Sequence, residues 1–432
     1  MVTIDLGVMS EEQPREPPRS SPRSWRTAAI VACLALTGGL LSASDRVAGG
    51  AVPGVRLSVT GSDQYFRAGK SLLVLASPAE SQTLTAYSVP GGGQLWQRVL
   101  DPRRGVMWVE DLGDVLLLMM QDGSNGQQAM AVDPATGETR WTRTSGWPMS
   151  KGDGIVVLSA ENGDERTPVV WEAVRTSDGE PVWRREFPPL SYGAGLPGRP
   201  GRALLTLPDQ QVQLWDVMAN RMLSSARLPE DTGISVDADR ALAVKTELGR
   251  VVVTGYTLPG LEPLWQREFP PGLQLNSLCG PEVLCTGTDG QDMVRLLDPD
   301  TGDLMWESDA YSWVFRAGPV LLGVGADPVS AGLTLSPLTA VDPRTGRALK
   351  DFGRWQMIDF ETSDSAGESI MVASYDRART GAIIAELDPR ALTVRVLMQV
   401  RDTDQDCSAV GDVLVCRFTD GAIGMWDLAA AR

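Results

Sequence analysis

The sequence predicts an all-β fold: a β-propeller of about eight four-stranded blades, preceded by one N-terminal transmembrane helix. Three observations predict it. A strand–turn–strand unit, Asp298-Pro-Asp-Thr-Gly-Asp-Leu-Met-Trp306, returns as Asp133-Pro-Ala-Thr-Gly-Glu-Thr-Arg-Trp141 and, without its Trp, from Asp342 to Gly346. Trp96, Trp141, Trp183, Trp265 and Trp306 each follow such a turn, at spacings of 45, 42, 82 and 41 residues. From about residue 56 onward the chain is a series of short apolar runs between turn residues, with no long helical periodicity after residue 44. A period of about 40–45 residues with several strands per unit is the signature of a propeller.

In chain order, residues 1–26 are rich in Pro, Ser, Arg and Glu and are read as a disordered cytoplasmic tail. Residues 27–44 carry no charge. At the helical rise they reach about 27 Å, enough to span a bilayer. The length of this run, and of the tail before it, favour a retained anchor over a cleaved secretory signal, whose apolar core is about 7–15 residues. Ser42-Ala-Ser44 is the small-residue pattern that a cleaved signal would use. Arg15, Arg19, Arg23 and Arg26 precede the segment, and only Arg46 and Arg56 follow it closely. Positive-inside orientation then puts the N-terminus in the cytoplasm and the body outside, as a single-pass protein of the cell membrane. Residues 45–55 form a linker, and residues 56–430 the propeller.

Runs at 71–75, 114–118, 155–158, 251–253 and 413–415 read as strands. In each turn, Pro presets the backbone and Gly closes it at positive φ. The turn and packing residues are therefore Asp133, Gly137 and Trp141; Asp298, Gly302 and Trp306; and Asp342 and Gly346. The 82-residue gap is two periods with the middle Trp missing, and Leu223 stands near its place. Eight complete units fit between residues 61 and 400. A ninth, partial unit at 401–428 stops after its third strand, and a strand near 55–60 supplies its fourth and closes the ring. We take the total as about eight, with either one unit degenerate or the ends packed irregularly.

Net charge is −16, and the N-terminal tail is neutral, so the body is acidic. This argues against nucleic acid and anionic lipid as partners, since both need a cationic footprint. Histidine is absent. A Ser-His-Asp or Cys-His nucleophile and a His-ligated metal are thereby excluded. Cys33 lies in the apolar segment, and the other four cysteines form two close pairs, Cys279/Cys285 and Cys407/Cys416. Each pair brackets a turn, which fits structural disulfides in an oxidising compartment. A zinc site would want closer spacing. Asp402-Thr-Asp-Gln-Asp406 has the alternating acids of a calcium loop but lacks its Gly and terminal Glu, and reads as an acidic loop between blades. Regular spacing of the turn-following Trp points to packing between blades. Trp108, Trp147, Trp171, Trp313 and Trp355 fall off that register and are candidates for loop or face positions.

The segments Leu297-Asp-Pro-Asp-Thr-Gly-Asp-Leu-Met-Trp306 and Ala131-Val-Asp-Pro-Ala-Thr-Gly-Glu-Thr-Arg-Trp141 resemble the repeat of pyrroloquinoline-quinone-like propellers. The resemblance covers roughly residues 56–430. One branch of that family comprises quinoprotein dehydrogenases, which hold quinone and Ca²⁺ beside a disulfide of adjacent cysteines. No two cysteines are adjacent here. The resemblance is closer to non-catalytic members, such as the propeller lipoprotein of the outer-membrane barrel-assembly machinery and extracellular scaffold or sensor domains of actinobacteria. The dominance of Arg over Lys, with abundant Ala, Gly and Pro, is in keeping with a bacterial source of that kind. The resemblance implies a scaffold that binds a protein or peptide partner, is not an enzyme, and has no cofactor and no metal. The alternatives are a relative of the dehydrogenases and a ligand-sensing ectodomain. Nothing in the sequence names a small-molecule ligand.

Overall fold

A computed structural model describes residues 53–432 apart from short stretches, of which 326–334 and 359–368 are the longest. The predicted tail and membrane segment, residues 1–44, and most of the predicted linker lie outside the described residues. Among the described residues, no helix is long and apolar enough to cross a membrane.

Among the described residues the chain is built of strands, and apart from β1 these form antiparallel sheets in chain order. A short first strand, β1 (Val55–Leu57), stands apart from the sequence that follows it. Blade 1 is β2 (Gln64–Ala68), β3 (Ser71–Ala76), β4 (Gln82–Ser88) and β5 (Gln94–Leu100). Blade 2 is β6 (Arg104–Asp111), β7 (Leu116–Asp122), β8 (Gln127–Val132) and β9 (Thr139–Arg143). Blade 3 is β10 (Trp147–Gly152), β11 (Ile155–Ala160), β12 (Val169–Arg175) and β13 (Pro181–Phe187). Blade 4 is β14 (Tyr192–Gly195), β15 (Arg202–Thr206), β16 (Gln211–Asp216) and β17 (Arg221–Arg227). Blade 5 is β18 (Thr232–Asp237), β19 (Arg240–Glu247), β20 (Arg250–Thr257) and β21 (Pro263–Phe269). Blade 6 is β22 (Leu273–Asn276), β23 (Leu284–Thr288), β24 (Gln291–Leu297) and β25 (Leu304–Ser308). Blade 7 is β26 (Tyr311–Ala317), β27 (Val320–Gly325), β28 (Ser336–Val341) and β29 (Ala348–Met357). Three strands follow, β30 (Ile370–Tyr375), β31 (Gly381–Asp388) and β32 (Thr393–Arg401), and then the terminal three, β33 (Thr403–Val410), β34 (Val413–Phe418) and β35 (Ile423–Asp427).

Among the described residues the strands form eight hydrogen-bonded sheets, and one of these is a fused pair. β29 is ten residues long. Its first part closes blade 7, and its last residues, Gln356 and Met357, pair with Ala373 and Val372 of β30. One strand thus serves as the outer strand of one repeat and the inner strand of the next. The additional repeat found by counting turns is the second half of this fused sheet. The terminal sheet takes its fourth strand from the other end of the chain: Val55, Arg56 and Leu57 pair with Met425, Gly424 and Ile423. Borrowing β1 covers β35, so the last strand of the chain is not left as the sheet edge at the junction.

The core is a series of apolar clusters at the seams between neighbouring blades. At the closure, Leu57, Val415, Ile423 and Met425 pack with Leu72 and Val74 of blade 1. The repeated turn builds the other seams. Asp133 Oδ1 accepts the N–H groups of Ala135 and Thr136 at 2.8 and 3.0 Å, and Asp298 and Asp342 do the same in their turns. Gly137, Gly302 and Gly346 close those turns at φ +70°, +70° and +69°.

The Trp that follows one turn lies on the turn of the next blade. Trp96, Trp141, Trp265 and Trp306 donate their indole N–H to the carbonyls of Pro134, Thr176, Pro299 and Pro343, at 2.7–3.0 Å. A Cβ added to Gly137, Gly179, Gly302 or Gly346 would stand 2.5–2.7 Å from the indole above it. The seam needs a large side chain on one side and a bare backbone on the other.

Ser224, and not Leu223, occupies the missing Trp position, because Ser224 pairs with Leu214 as Trp141 pairs with Ala131. The Ser224 hydroxyl donates to the Pro259 carbonyl in the next turn. There Leu261, at φ +56°, stands in the place of glycine and is buried. The bulk has crossed the seam, from Trp over Gly to Ser over Leu. At the closure, Val55 takes the Trp position and meets Gly92 of blade 1.

These turns carry a pH dependence. The Arg140 guanidinium, with the N–H groups of Ala135 and Thr136, holds the Asp133 carboxyl down at about 2. The Asp342 carboxyl is lowered by the N–H and hydroxyl of Thr345. Because the folded values lie below the unfolded one, each contribution is full above about pH 4 and is lost as the pH falls toward 2. Melting temperature is expected to fall over that window, and more gently in Asp133→Asn. An equal slope in the variant would remove Asp133 from the account.

Candidate functional site

The first strand of each blade lies at the hub, and the side chains there do not repeat. A cavity of about 850 Å³ opens where β2, β6, the end of β29 and β33 meet. Its walls carry Tyr65, Phe66, Met107, Trp108 and Met357. On the neighbouring first strand β10, Trp147 packs against Trp108 with ring centroids 6.4 Å apart. Met107 and Trp147 remain 45% and 37% exposed, high for large apolar side chains on inner strands. A smaller cavity of about 210 Å³, lined by Trp313, Trp355 and Met357, opens between β26 and β29.

One polar cluster sits in the apolar wall. Tyr65 Oη donates to Asp406 Oδ1 at 2.9 Å, and Arg417 Nε donates to Asp406 Oδ2 at 3.2 Å. Burial, then the nearby Asp406 charge, push the Tyr65 phenol up, so it stays protonated and acts as a donor. Arg417, on β34, also donates to the carbonyls of Asp63, Thr60 and Gly421 at 2.5, 3.3 and 3.4 Å. Its guanidinium lies 5.4 Å from the centre of the Tyr65 ring. This group fastens the last blade to the segment between β1 and β2. The Asp63 carboxylate is itself used by the N–H and hydroxyl of Thr60, at 2.8 and 2.6 Å.

Asp402–Asp406 differs from the sequence expectation. Thr403–Val410 is a hub strand and not a loop between blades, because its apolar members Cys407 and Ala409 are buried against β30 and β31. Asp406 is held by Tyr65 and Arg417, and Asp404 is exposed. Among the described residues, no three His, Cys, Asp or Glu side chains converge as a metal site requires. The two carboxylates that line the hub cavity, Asp63 and Asp406, are already engaged. This donor set does not fit a calcium–quinone group.

Both cysteine pairs are bonded. Cys407 and Cys416 face each other across the β33–β34 ladder with Cα atoms 4.0 Å apart. Cys279, in the β22–β23 connection, joins Cys285 on β23 at a Cα separation of 5.9 Å. Only the first bond reaches the hub cavity wall, through Cys407. The turn and packing residues Asp133, Gly137, Trp141, Asp298, Gly302, Trp306, Asp342 and Gly346 lie at the seams and contribute nothing to the hub wall. Of the off-register tryptophans, Trp108, Trp147, Trp313 and Trp355 stand at or beside the hub cavities. Trp171 is instead fully buried on β12, against Phe187 and Trp215.

Sequence reading missed a second repeated residue. Two positions after the Trp, Arg98, Arg143, Arg185 and Arg267 reach the next turn, at the Gly137 carbonyl, the Gly179 carbonyl, the Asn220 amide and the Asp303 carboxylate. The signal Trp-x-Arg was present in the sequence. The hub residues had no such signal, because each comes from a different place in its repeat.

No family model matches the chain, and no curated protein matches it. Among solved structures, it is similar to BamB from Moraxella catarrhalis, at 13% identity and a TM-score of 0.42, over 87% of this chain and 97% of that one. It is also similar to a computationally designed protein, Ika8, at 12% identity and a TM-score of 0.46, over 75% and 96% of the two chains. Likeness of this degree assigns no role, and the propeller architecture rests on the strand ladders of the chain itself.

Proposed function

We propose that the protein is a membrane-anchored, extracytoplasmic propeller that binds a protein or peptide partner at its hub and catalyses no reaction. One observation carries this reading. The repeated residues are consumed by the seams, whereas the hub presents exposed Met107 and Trp147 around an aromatic cavity assembled from several blades. Exposed aromatic and Met side chains beside a concavity are the usual anchors of a binding surface. The polar groups of the wall are paired with one another, which suits a binding surface more than a reacting one. The anchor and its orientation are supported by the uncharged run at 27–44 and the four arginines before it, and the compartment by the two disulfides.

The test is affinity capture with the full-length protein in detergent, beside a Met107→Glu/Trp147→Ala variant. A partner retained by the first and lost by the second, at unchanged melting temperature, is the expected result. Equal capture by both would move the site away from the hub. Labelling of a cysteine introduced at the exposed Leu248, from outside intact cells, checks the orientation.

A further inference from the structure

The seam between blades 3 and 4 breaks the large-over-small rule. Trp183 on β13 faces a turn in which Asn220, at φ +49°, stands where the other Trp-bearing seams have glycine. Neither partner is small. The Trp183 indole N–H is buried without a hydrogen-bond partner, whereas four equivalent indoles donate to a turn carbonyl. A cleft of about 520 Å³ opens at this seam, within the usual range for a small-ligand or short-peptide site.

Arg185, Asn220 and Arg221 line the cleft on its polar side, and Phe187, Leu207 and Met222 on its apolar side. The Arg185 guanidinium lies over Trp215, 4.6 Å from the ring centre, and its Nε donates to Asn220 Oδ1 at 3.1 Å. Those two contacts fix the group and leave its terminal nitrogens open. Arg221 is exposed and makes no ion pair among the described residues. Glu186 also lines the cleft, and its carboxylate is paired with Arg184 at 3.2 Å. In a chain of net charge −16, the terminal nitrogens of Arg185 and the exposed Arg221 guanidinium beside an apolar wall form a local anion site. Guanidinium forks match carboxylates in shape as well as charge. On its far side β13 has no strand partner among the described residues, so its backbone can meet an extended chain.

We propose that this cleft captures the C-terminal carboxylate of a peptide whose last side chain is apolar. Arg185 and Arg221 hold the carboxylate, Phe187 and Leu207 receive the side chain, and the exposed, flexible Met222 adapts to its shape. This site is separate from the hub and does not depend on the hub reading. Asn220 lines it and fixes Arg185 there.

The experiment is fluorescence anisotropy of full-length protein with a labelled Gly-Ala-Leu tripeptide, its C-terminal amide, and an amidated peptide with an internal Glu. Variants are Arg221→Ala, Arg185→Ala and Asn220→Gly. The free carboxylate is expected to bind at least about tenfold tighter than either amidated peptide, since hydrogen bonds to a charged group are the strong ones. Arg221→Ala, at an exposed position, is expected to lose a similar factor without a change in melting temperature. Asn220→Gly removes the oxygen that fixes Arg185 in the cleft. Binding is then expected to weaken while the melting temperature holds or rises. Absence of wild-type binding at millimolar peptide, equal binding of the amide, or unchanged binding in Arg221→Ala would each overturn the proposal.

Discussion

Alanine at Gly302 is expected to destabilise the protein by about 2–5 kcal/mol, the sum of a left-handed backbone strain and a steric clash. Gly302 sits at φ +70°, and a Cβ there would lie 2.5 Å from the Trp265 ring. The indole would have to leave its seat and give up its hydrogen bond to the Pro299 carbonyl. Gly113 separates the two terms. It has φ +90° and nothing within 4 Å of an added Cβ, so Gly113→Ala should report backbone strain alone, about 1 kcal/mol. Urea denaturation at constant m-value measures both. The natural Ser224/Leu261 seam predicts the rescue. Trp265→Ser should cost about 3–5 kcal/mol alone, and adding Gly302→Leu should recover part of it. A double-mutant cycle reads that coupling. Additive losses would show that bulk cannot cross the seam, and would overturn the account of blades 4 and 5.

Arg417→Met is expected to cost about 2–3 kcal/mol, because it leaves buried carbonyl acceptors without their donor. Arg417 is only 8% exposed, and its loss frees the carbonyls of Thr60 and Asp63, the Gly421 carbonyl and the Asp406 carboxylate together. Methionine keeps most of the volume, so the loss reports polar contacts more than a cavity. Because Arg417 ties the last blade to the segment after β1, the variant should open at the closure first. Hydrogen exchange of the amides in 55–60 should rise well before that of β15 and β16. Arg56, which pairs with Asp420 at the surface and lies 4.3 Å from the centre of the Phe418 ring, is the control. Arg56→Met should cost about 1 kcal/mol or less, since exposed pairs contribute little. Equal exchange across the ring in Arg417→Met would mean that closure is not the weakest point.

The Asp-Pro-x-Thr-Gly turns and their tryptophans were legible because one local geometry demands one residue type at one place. Asp accepts the next N–H groups, Gly supplies positive φ, and Trp meets the same neighbour in each period. The seam after blade 4 was misread. Ser224 and Leu261 make sense only as a pair, and neither looks like the motif alone. The fused sheet was legible as a surplus repeat, but its cause, the long strand β29, was not.

The sequence by itself determined the class of fold, the period, the turns, the pairing of cysteines within each close pair, and the loan of an early strand to the last blade. All of these follow from contacts between residues near in sequence or one period apart, or from a missing strand. Only the tertiary structure decided that Arg417 locks Asp63 and Thr60, that Met107 and Trp108 line one cavity with Trp147 packed beside Trp108, and that the Trp183 indole N–H is left without a partner at its seam. The physical reason is that these contacts join residues of different repeats at positions where the repeats differ. Their meeting is fixed by the closed ring and by the packing at each seam, and a local pattern of residue types carries neither.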